Sequence, residues 1–160
     1  GLDMSHQMLV RGKPHIARDN ALTLMRSDAT RIAAPDATFD AVTISFGIRN
    51  VTDVPQALAE MRRVLKPGGR ALVLEFSLPA NAVIRNGYLM YFRHVLPTVG
   101  GIVSGDSKAY RYLNETVETF PYGDDFCALM RDAGFERVEA RPQTFGIATL
   151  YWGDRPMEAN

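Results

Sequence analysis

The chain has few of the residues that mark secreted, metal-dependent or strongly charged proteins. Its 160 residues include one cysteine, Cys127. That rules out an intrachain disulfide and a cysteine-based metal cluster, and points to a reducing compartment such as the cytoplasm. His6, His15 and His94 are the only histidines, and their spacing suits no metal site. Charge of one sign is lacking too, because 18 basic residues balance 18 acidic ones. The composition therefore carries no electrostatic footprint for nucleic acid or for an anionic membrane. No basic-then-apolar leader pattern opens the sequence. The longest greasy stretch, 87–103, is interrupted by Arg93, His94, Pro97 and two glycines, short of the roughly 20 apolar residues a spanning helix needs. No P-loop and no catalytic triad pattern is present. What remains is 46% hydrophobic and 22% charged, the composition of an ordinary globular chain. A chain of this size buries roughly 70% of the surface its unfolded form exposes, enough for a core without staples.

The apolar pattern alternates between strand and helix. Gly1-Leu2-Asp3-Met4-Ser5 reads as the end of a buried strand handing over to a helix at 5–12, with Ser5 as cap and Pro14 limiting it. This reading expects further residues before Gly1; an ordinary loop there is the alternative. A short strand is expected at 22–25 and a stronger one at 39–46 (FDAVTISF). Residues 53–65 form an amphipathic helix, with Asp53 as N-cap, Pro55 in the first turn and Leu58, Met61, Val64 and Leu65 in helical period. Lys66-Pro67-Gly68-Gly69 stops that helix, and 70–77 (RALVLEFS) follows as a buried strand. Strand, helix and strand make a right-handed parallel unit.

After Pro79 the pattern becomes aromatic and helical over 84–103 and again over 107–119, which reads as a helical insertion at about 79–120. A helix at 124–133 leads to strands at 135–140 and 144–152, turned through Pro142 into an antiparallel hairpin. The expected fold is one α/β domain, 1–160, with a mostly parallel sheet. Met4, Met8, Met25, Met61, Met90 and Met130 read as packing residues, and Cys127 as an inert inward-facing one.

Ligands of open parallel sheets sit beyond the carboxyl ends of the strands. Asp3 ends the first strand, where a carboxylate can hold ribose hydroxyls. Asp28-Ala29 follows the second and offers a carboxylate beside a small residue that leaves room for a purine. Ser45 ends the third, before Phe46 and Gly47. Caps and turns use aspartate as well, yet the three stations in order suggest an adenosine-type ligand. Arg49-Asn50 follows at once. A guanidinium stays protonated, so Arg49 suits an oxyanion stabiliser rather than a base; a solvated arginine is the alternative. His94, Tyr110 and Tyr112 fall in the insertion, where a hydrophobic substrate would dock, although tyrosines at i and i+2 cannot share a helix face.

The run 39–53 (FDAVTISFGIRNVTD), with Val64-Leu65-Lys66-Pro67-Gly68-Gly69-Arg70, Leu74-Glu75-Phe76-Ser77, His94-Val95-Leu96-Pro97, Tyr110-Arg111-Tyr112-Leu113 and 130–136 (MRDAGFE), resembles the UbiE/MenG-type quinone-biosynthesis methyltransferases. The resemblance covers nearly the whole chain. It implies a Rossmann-like class I methyltransferase fold that binds S-adenosyl-L-methionine and C-methylates the ring of a polyprenylated benzoquinol or naphthoquinol. It also implies Asp3 and Met4 as ribose-side contacts, Asp28 and Ala29 as the adenine pair, and Ser45 as a further cofactor contact. Arg49 and Asn50 would stabilise a substrate phenolate, with His94 or a water taking the proton. Tyr110 and Tyr112 would face the substrate. The insertion would cradle the prenyl tail, giving an enzyme that visits the membrane surface.

Two departures from the family pattern matter. Its glycine-rich cofactor loop has no counterpart in these residues, and 145–153 (FGIATLYWG) is more aromatic than the usual ending. In the family's sheet a strand lies between the one ending at Asp3 and the one at 39–46. Its absence leaves an open edge with unpaired backbone groups, each costing about 1 to 3 kcal/mol if buried. That expectation calls either for pairing with another chain along 39–46, as in a homodimer, or for these residues to be part of a longer protein. Two other readings are a methyltransferase for another small molecule or lipid, and a silent assembly module.

Overall fold

The computed structural model describes residues 1–16, 21–95 and 116–158. Two sheets organise them. Strands β1 (Leu2–Asp3) and β2 (Met25–Arg26) pair in parallel, with Leu2 opposite Met25 and Asp3 opposite Arg26. Helix α1 (His6–Ile16) connects them. It runs past the expected stop near residue 12 because Pro14 lies in its last turn, where few later backbone bonds remain to be lost. The second strand begins three residues later than expected and ends one later, its limits set by the two residues that pair with β1.

The larger sheet has the order β3-β4-β6-β5, built from β3 (Phe39–Ser45), β4 (Leu65–Phe76), β5 (Glu136–Gln143) and β6 (Ala148–Asp154). β3 and β4 are parallel, joined by α2 (Val54–Val64), and β4, β6 and β5 are antiparallel. Among the described residues β3 has no strand on its outer side, and none joins the two sheets. The open edge anticipated beside 39–46 is therefore present.

Helix α2 forms where the apolar period and the caps agree. The Asp53 carboxylate accepts from the Gln56 backbone N–H at 2.9 Å, and Pro55 occupies the first turn. Its inner face buries Ala57, Leu58, Met61 and Val64, each large side chain contributing about 1.5–3 kcal/mol. The Lys66–Gly69 stop is a bulge inside β4 rather than a turn before it. Leu65 is already extended and pairs with Phe39, the next pair is Ala41 with Arg70, and 66–69 bow outward between them. Gly69 is required there, because a Cβ would meet the Lys66 and Asp40 carbonyls at 2.9 and 3.0 Å.

Helix α3 (Ala82–Met90) is capped by the Asn81 side chain and continues into a π-helical turn, Tyr91–Val95. Of the expected helix at 107–119, residues 116–119 are described and helical. The insertion's two described ends are tied by an Arg93–Glu118 ion pair. Helix α4 (Asp124–Asp132) packs against α2 and β5 and brings Phe126, Cys127 and Met130 into a core shared with Leu58, Val73 and Tyr151. Cys127 faces inward as expected, and burial pushes its thiol pKa up, which disfavours the reactive thiolate. Met61 and Met130 are core residues, but Met4, Met8, Met25 and Met90 are exposed and do not fill gaps.

The final hairpin turns at 144–146, not at Pro142, which sits within β5 opposite Thr149. An edge strand tolerates that proline because its outward position needs no ladder donor. The turn holds Thr144, Phe145 and Gly146 at positive φ. At the far end of β6, the Asp154 carboxylate accepts from Arg70 and Arg137, which hold its pKa below the usual carboxylate range. Among the described residues, no helix is long and apolar enough to cross a membrane, and no cluster of metal-binding side chains occurs.

Candidate functional site

Along β4, Ala71, Val73, Glu75 and Ser77 are buried at alternate positions. A strand sends every second side chain to one face, so this face changes from apolar to polar toward its carboxyl end. The neighbouring strand β3 ends at Ser45. Phe46 then adopts φ 52° and donates its N–H to the Leu74 carbonyl at 2.8 Å. A tight helical turn, Ile48–Asn50, anchored by the fully buried Ile48, carries Arg49 across the end of β4.

There Arg49 is clamped. Its Nη1 donates to Glu75 Oε1 at 2.6 Å and to the Phe46 carbonyl at 2.8 Å. Glu75 Oε1 also accepts from the Phe76 N–H at 2.9 Å. The two side chains are 9% and 1% exposed, so this is a buried ion pair. The guanidinium lies over the Phe76 ring, 5.0 Å from its centroid, and Phe46 stacks on Phe76 at 4.6 Å. The solvated alternative for Arg49 is thereby excluded. Its Nε is shut from solvent and has no hydrogen-bond partner among the described residues.

A hollow of about 440 Å³ opens beside Arg49. Asp53, Val54 and Pro55, at the start of α2, form one wall, and Thr116, Thr119 and Phe120 form another. Its volume falls in the range of small-molecule sites, and Arg49 is among the residues that line it.

The other sequence-derived stations fall as follows. Asp3 ends β1, and its Oδ1 accepts from the Ser5 N–H at 2.7 Å, fixing the strand-to-helix junction. Asp28 lies two residues past β2. Its Oδ1 accepts from the backbone N–H and hydroxyl of Thr30, both at 2.9 Å, which lowers its pKa and keeps it ionised. Asp3 and Asp28 stand at the same end of the small sheet, linked by a Ser27 N–H donating to the Asp3 carbonyl. Met4 is exposed and uses its carbonyl to accept from Arg26 Nε. Ala29 is half-buried, while Ser45 is exposed at the end of β3. Asn50 is exposed, with its N–H donated to the Gly47 carbonyl. His94 is exposed on the π-helical turn. Tyr110 and Tyr112 lie outside the described residues. The carboxylates at 3 and 28 and the small side chain at 29 offer hydrogen-bond acceptors and space of the kind a nucleoside needs, with one oxygen of each acid already engaged in a turn.

Two side chains around Arg49 were given no role from sequence. Glu75 had a usable signal, a lone acid at an inward position of an apolar strand. Phe76 had none, because its contact with Arg49 joins distant elements.

Residues 1–155 match the ubiE/COQ5 methyltransferase family. A ubiquinone/menaquinone biosynthesis C-methyltransferase of Geobacter sulfurreducens is 45% identical over 161 residues, which cover 99% of this chain and 62% of that protein. A demethylmenaquinone methyltransferase of Clavibacter sepedonicus is 42% identical, covering 96% of this chain and 63% of its own length. The chain thus spans less than two thirds of these relatives. Among solved structures, a SAM-dependent methyltransferase of Thermotoga maritima superposes with a TM-score of 0.62 at 19% identity, covering 97% of this chain and 72% of that one. Phosphoethanolamine N-methyltransferase 2 of Haemonchus contortus, in complex with S-adenosyl-L-methionine, gives 0.69 at 13% identity, with 98% and 43% covered. Those likenesses show the Rossmann-like class I methyltransferase architecture expected from the sequence. By its match over residues 1–155, the chain belongs to the ubiE/COQ5 methyltransferase family.

Proposed function

We propose that this chain carries the acceptor side and part of the cofactor side of an S-adenosyl-L-methionine-dependent C-methyltransferase acting on a polyprenylated quinol ring. The observation that carries the reading is Arg49, buried at the carboxyl end of β3, clamped by Glu75 and bordering the hollow. The family match and the relatives named for quinone biosynthesis support the same acceptor class. Asp3, Met4, Asp28, Ala29 and Ser45 are assigned to the cofactor, which when bound supplies an electrophilic methyl on a sulfonium. Arg49, with Asn50, holds the ring oxygen as a phenolate, and that oxygen pushes electron density onto the adjacent carbon. His94, or water, takes the hydroxyl proton. Formation of the ring carbon–methyl bond, with the thioether as leaving group, would be an in-line displacement that depends on alignment and exclusion of water; the methylated carbon then loses its hydrogen as a proton to solvent and the ring oxygen regains one, restoring the aromatic quinol. The full-length enzyme, given labelled S-adenosyl-L-methionine and a demethylmenaquinol or its benzoquinol counterpart, should place label on a ring carbon. Transfer only to oxygen or nitrogen acceptors, or none, rejects the quinol assignment.

A prenylated acceptor resides in lipid, so the reading includes contact with the membrane surface. Phe145, at the hairpin tip, and Val83, at the start of α3, are each 81% exposed. The tip adjoins the residues just before α3: Gly146 lies against Pro79, and its carbonyl accepts from Ser77 Oγ. Phe145→Asp should weaken binding of the full-length enzyme to liposomes about tenfold, since burying one aromatic side chain contributes about 1.5–3 kcal/mol. Unchanged co-sedimentation would remove this surface from the membrane contact.

A further inference from the structure

We infer that the Tyr88 hydroxyl is a second hydrogen-bonding group for the acceptor's ring oxygen, acting alongside Arg49 Nε. The inference rests on the quinol reading above and adds a residue that the sequence did not single out. Buried polar atoms in folded proteins almost always have a partner, and an exception calls for an explanation. Among the described side chains the exceptions are Arg49 Nε and Tyr88 Oη. They belong to one aromatic cluster. The Tyr88 ring packs on Phe92 at 4.8 Å, Phe92 approaches Phe76 at 6.4 Å, and Phe76 carries the Arg49 guanidinium on its face. A helix and a strand-end turn, nearly 40 positions apart in sequence, thus bring two unsatisfied polar groups to the same aromatic cluster at the carboxyl end of β4.

Their chemistry is complementary to one kind of ligand. Arg49 Nε–H can only donate. Burial pushes the Tyr88 pKa up to about 12, with the Arg49 charge opposing that rise. The phenol therefore keeps its proton at neutral pH and can donate as well. Two donors beside an aromatic surface fit an oxygen on a flat aromatic ring, and the fit improves as that oxygen gains negative charge. Phe76 and the buried Phe92 supply apolar surroundings that strengthen such bonds by excluding water.

The test is Tyr88→Phe in the full-length enzyme, which removes one oxygen and leaves the ring packing intact. Expected are a roughly 10- to 100-fold fall in kcat/KM for the quinol (on the order of one charge-assisted hydrogen bond), binding of S-adenosyl-L-methionine within about twofold of wild type, and a Tm that does not fall. Binding of the methylated quinol product, measured without turnover, should weaken in the same variant. A kcat/KM within about twofold of wild type, unchanged product binding, or an equal loss of cofactor binding overturns the inference. Wild-type enzyme that methylates no quinol sinks the underlying reading instead, so the two failures are distinguishable.

Discussion

Arg49→Ala in the full-length enzyme is expected to lower turnover about 10²- to 10³-fold while leaving the cofactor dissociation constant within about threefold. The size follows from removing a preorganised cation from a charge that develops in the transition state. The same substitution has a structural consequence that must be separated from the chemistry. Glu75 is 1% exposed, and stripping a buried carboxylate of its cation costs about 3–5 kcal/mol. Arg49→Ala should therefore also lower Tm. The double variant Arg49→Ala, Glu75→Gln removes the uncompensated charge along with the cation and should recover most of that stability. Turnover should stay low in the double variant, because the phenolate still lacks its donor. Recovery of turnover together with stability would mean that Arg49 serves only to neutralise Glu75. Loss of cofactor affinity in parallel with turnover would place Arg49 on the cofactor rather than on the acceptor.

Much of this arrangement was legible in the sequence, and what was hidden has physical causes. β3 and α2 were readable because local and tertiary demands agree there. Val42, Thr43 and Ile44 make a β-branched run within 39–45, while Asp53, Pro55 and the period of Leu58, Met61 and Val64 all specify the same helix. β2 was misplaced because a two-residue strand has almost no local signature and exists only through β1. The Lys66–Gly69 stop was visible, but its form as a bulge depends on Phe39 pairing with Leu65 across the sheet. Arg49 could be placed at a strand end from the order of elements alone. Whether it was solvated or buried could not, because that depends on Glu75, 26 positions away. Reading 70–77 as uniformly buried hid Glu75; alternate positions put it on the face of Ala71 and Val73, where an acid demands a partner. Tyr88 was out of reach, since nothing in the chain near it says whether its hydroxyl is satisfied. Asp3 and Asp28 were ordered correctly along the chain and share one end of the small sheet, with Ser45 ending a strand of the other.

The second large effect concerns the wall of the hollow rather than its cation. Phe126 is fully buried on α4, with its ring 5.6 Å from Phe120 and 4.6 Å from Tyr151. Tyr151 in turn accepts the Gly123 N–H on its hydroxyl at 2.7 Å, at the start of α4. One ring therefore joins β6, α4 and the segment that lines the hollow through Phe120. Phe126→Ala should cost about 3–5 kcal/mol from lost burial and the cavity left behind. For a protein of about 150–250 residues each kcal/mol lowers Tm by about 2–4 °C, so a fall of roughly 6–20 °C is expected in calorimetry of the full-length protein. Phe126→Leu retains most of the volume and should lose under half as much. If packing transmits to the hollow, KM for the quinol in Phe126→Ala, measured well below its Tm, should rise severalfold with cofactor affinity kept. Phe120 is the element of that wall freed by the substitution, whereas the proposed cofactor contacts lie on β1, the residues after β2 and the end of β3. A Tm fall as large in Phe126→Leu as in Phe126→Ala would show that ring geometry rather than filled volume holds α4 to the sheet.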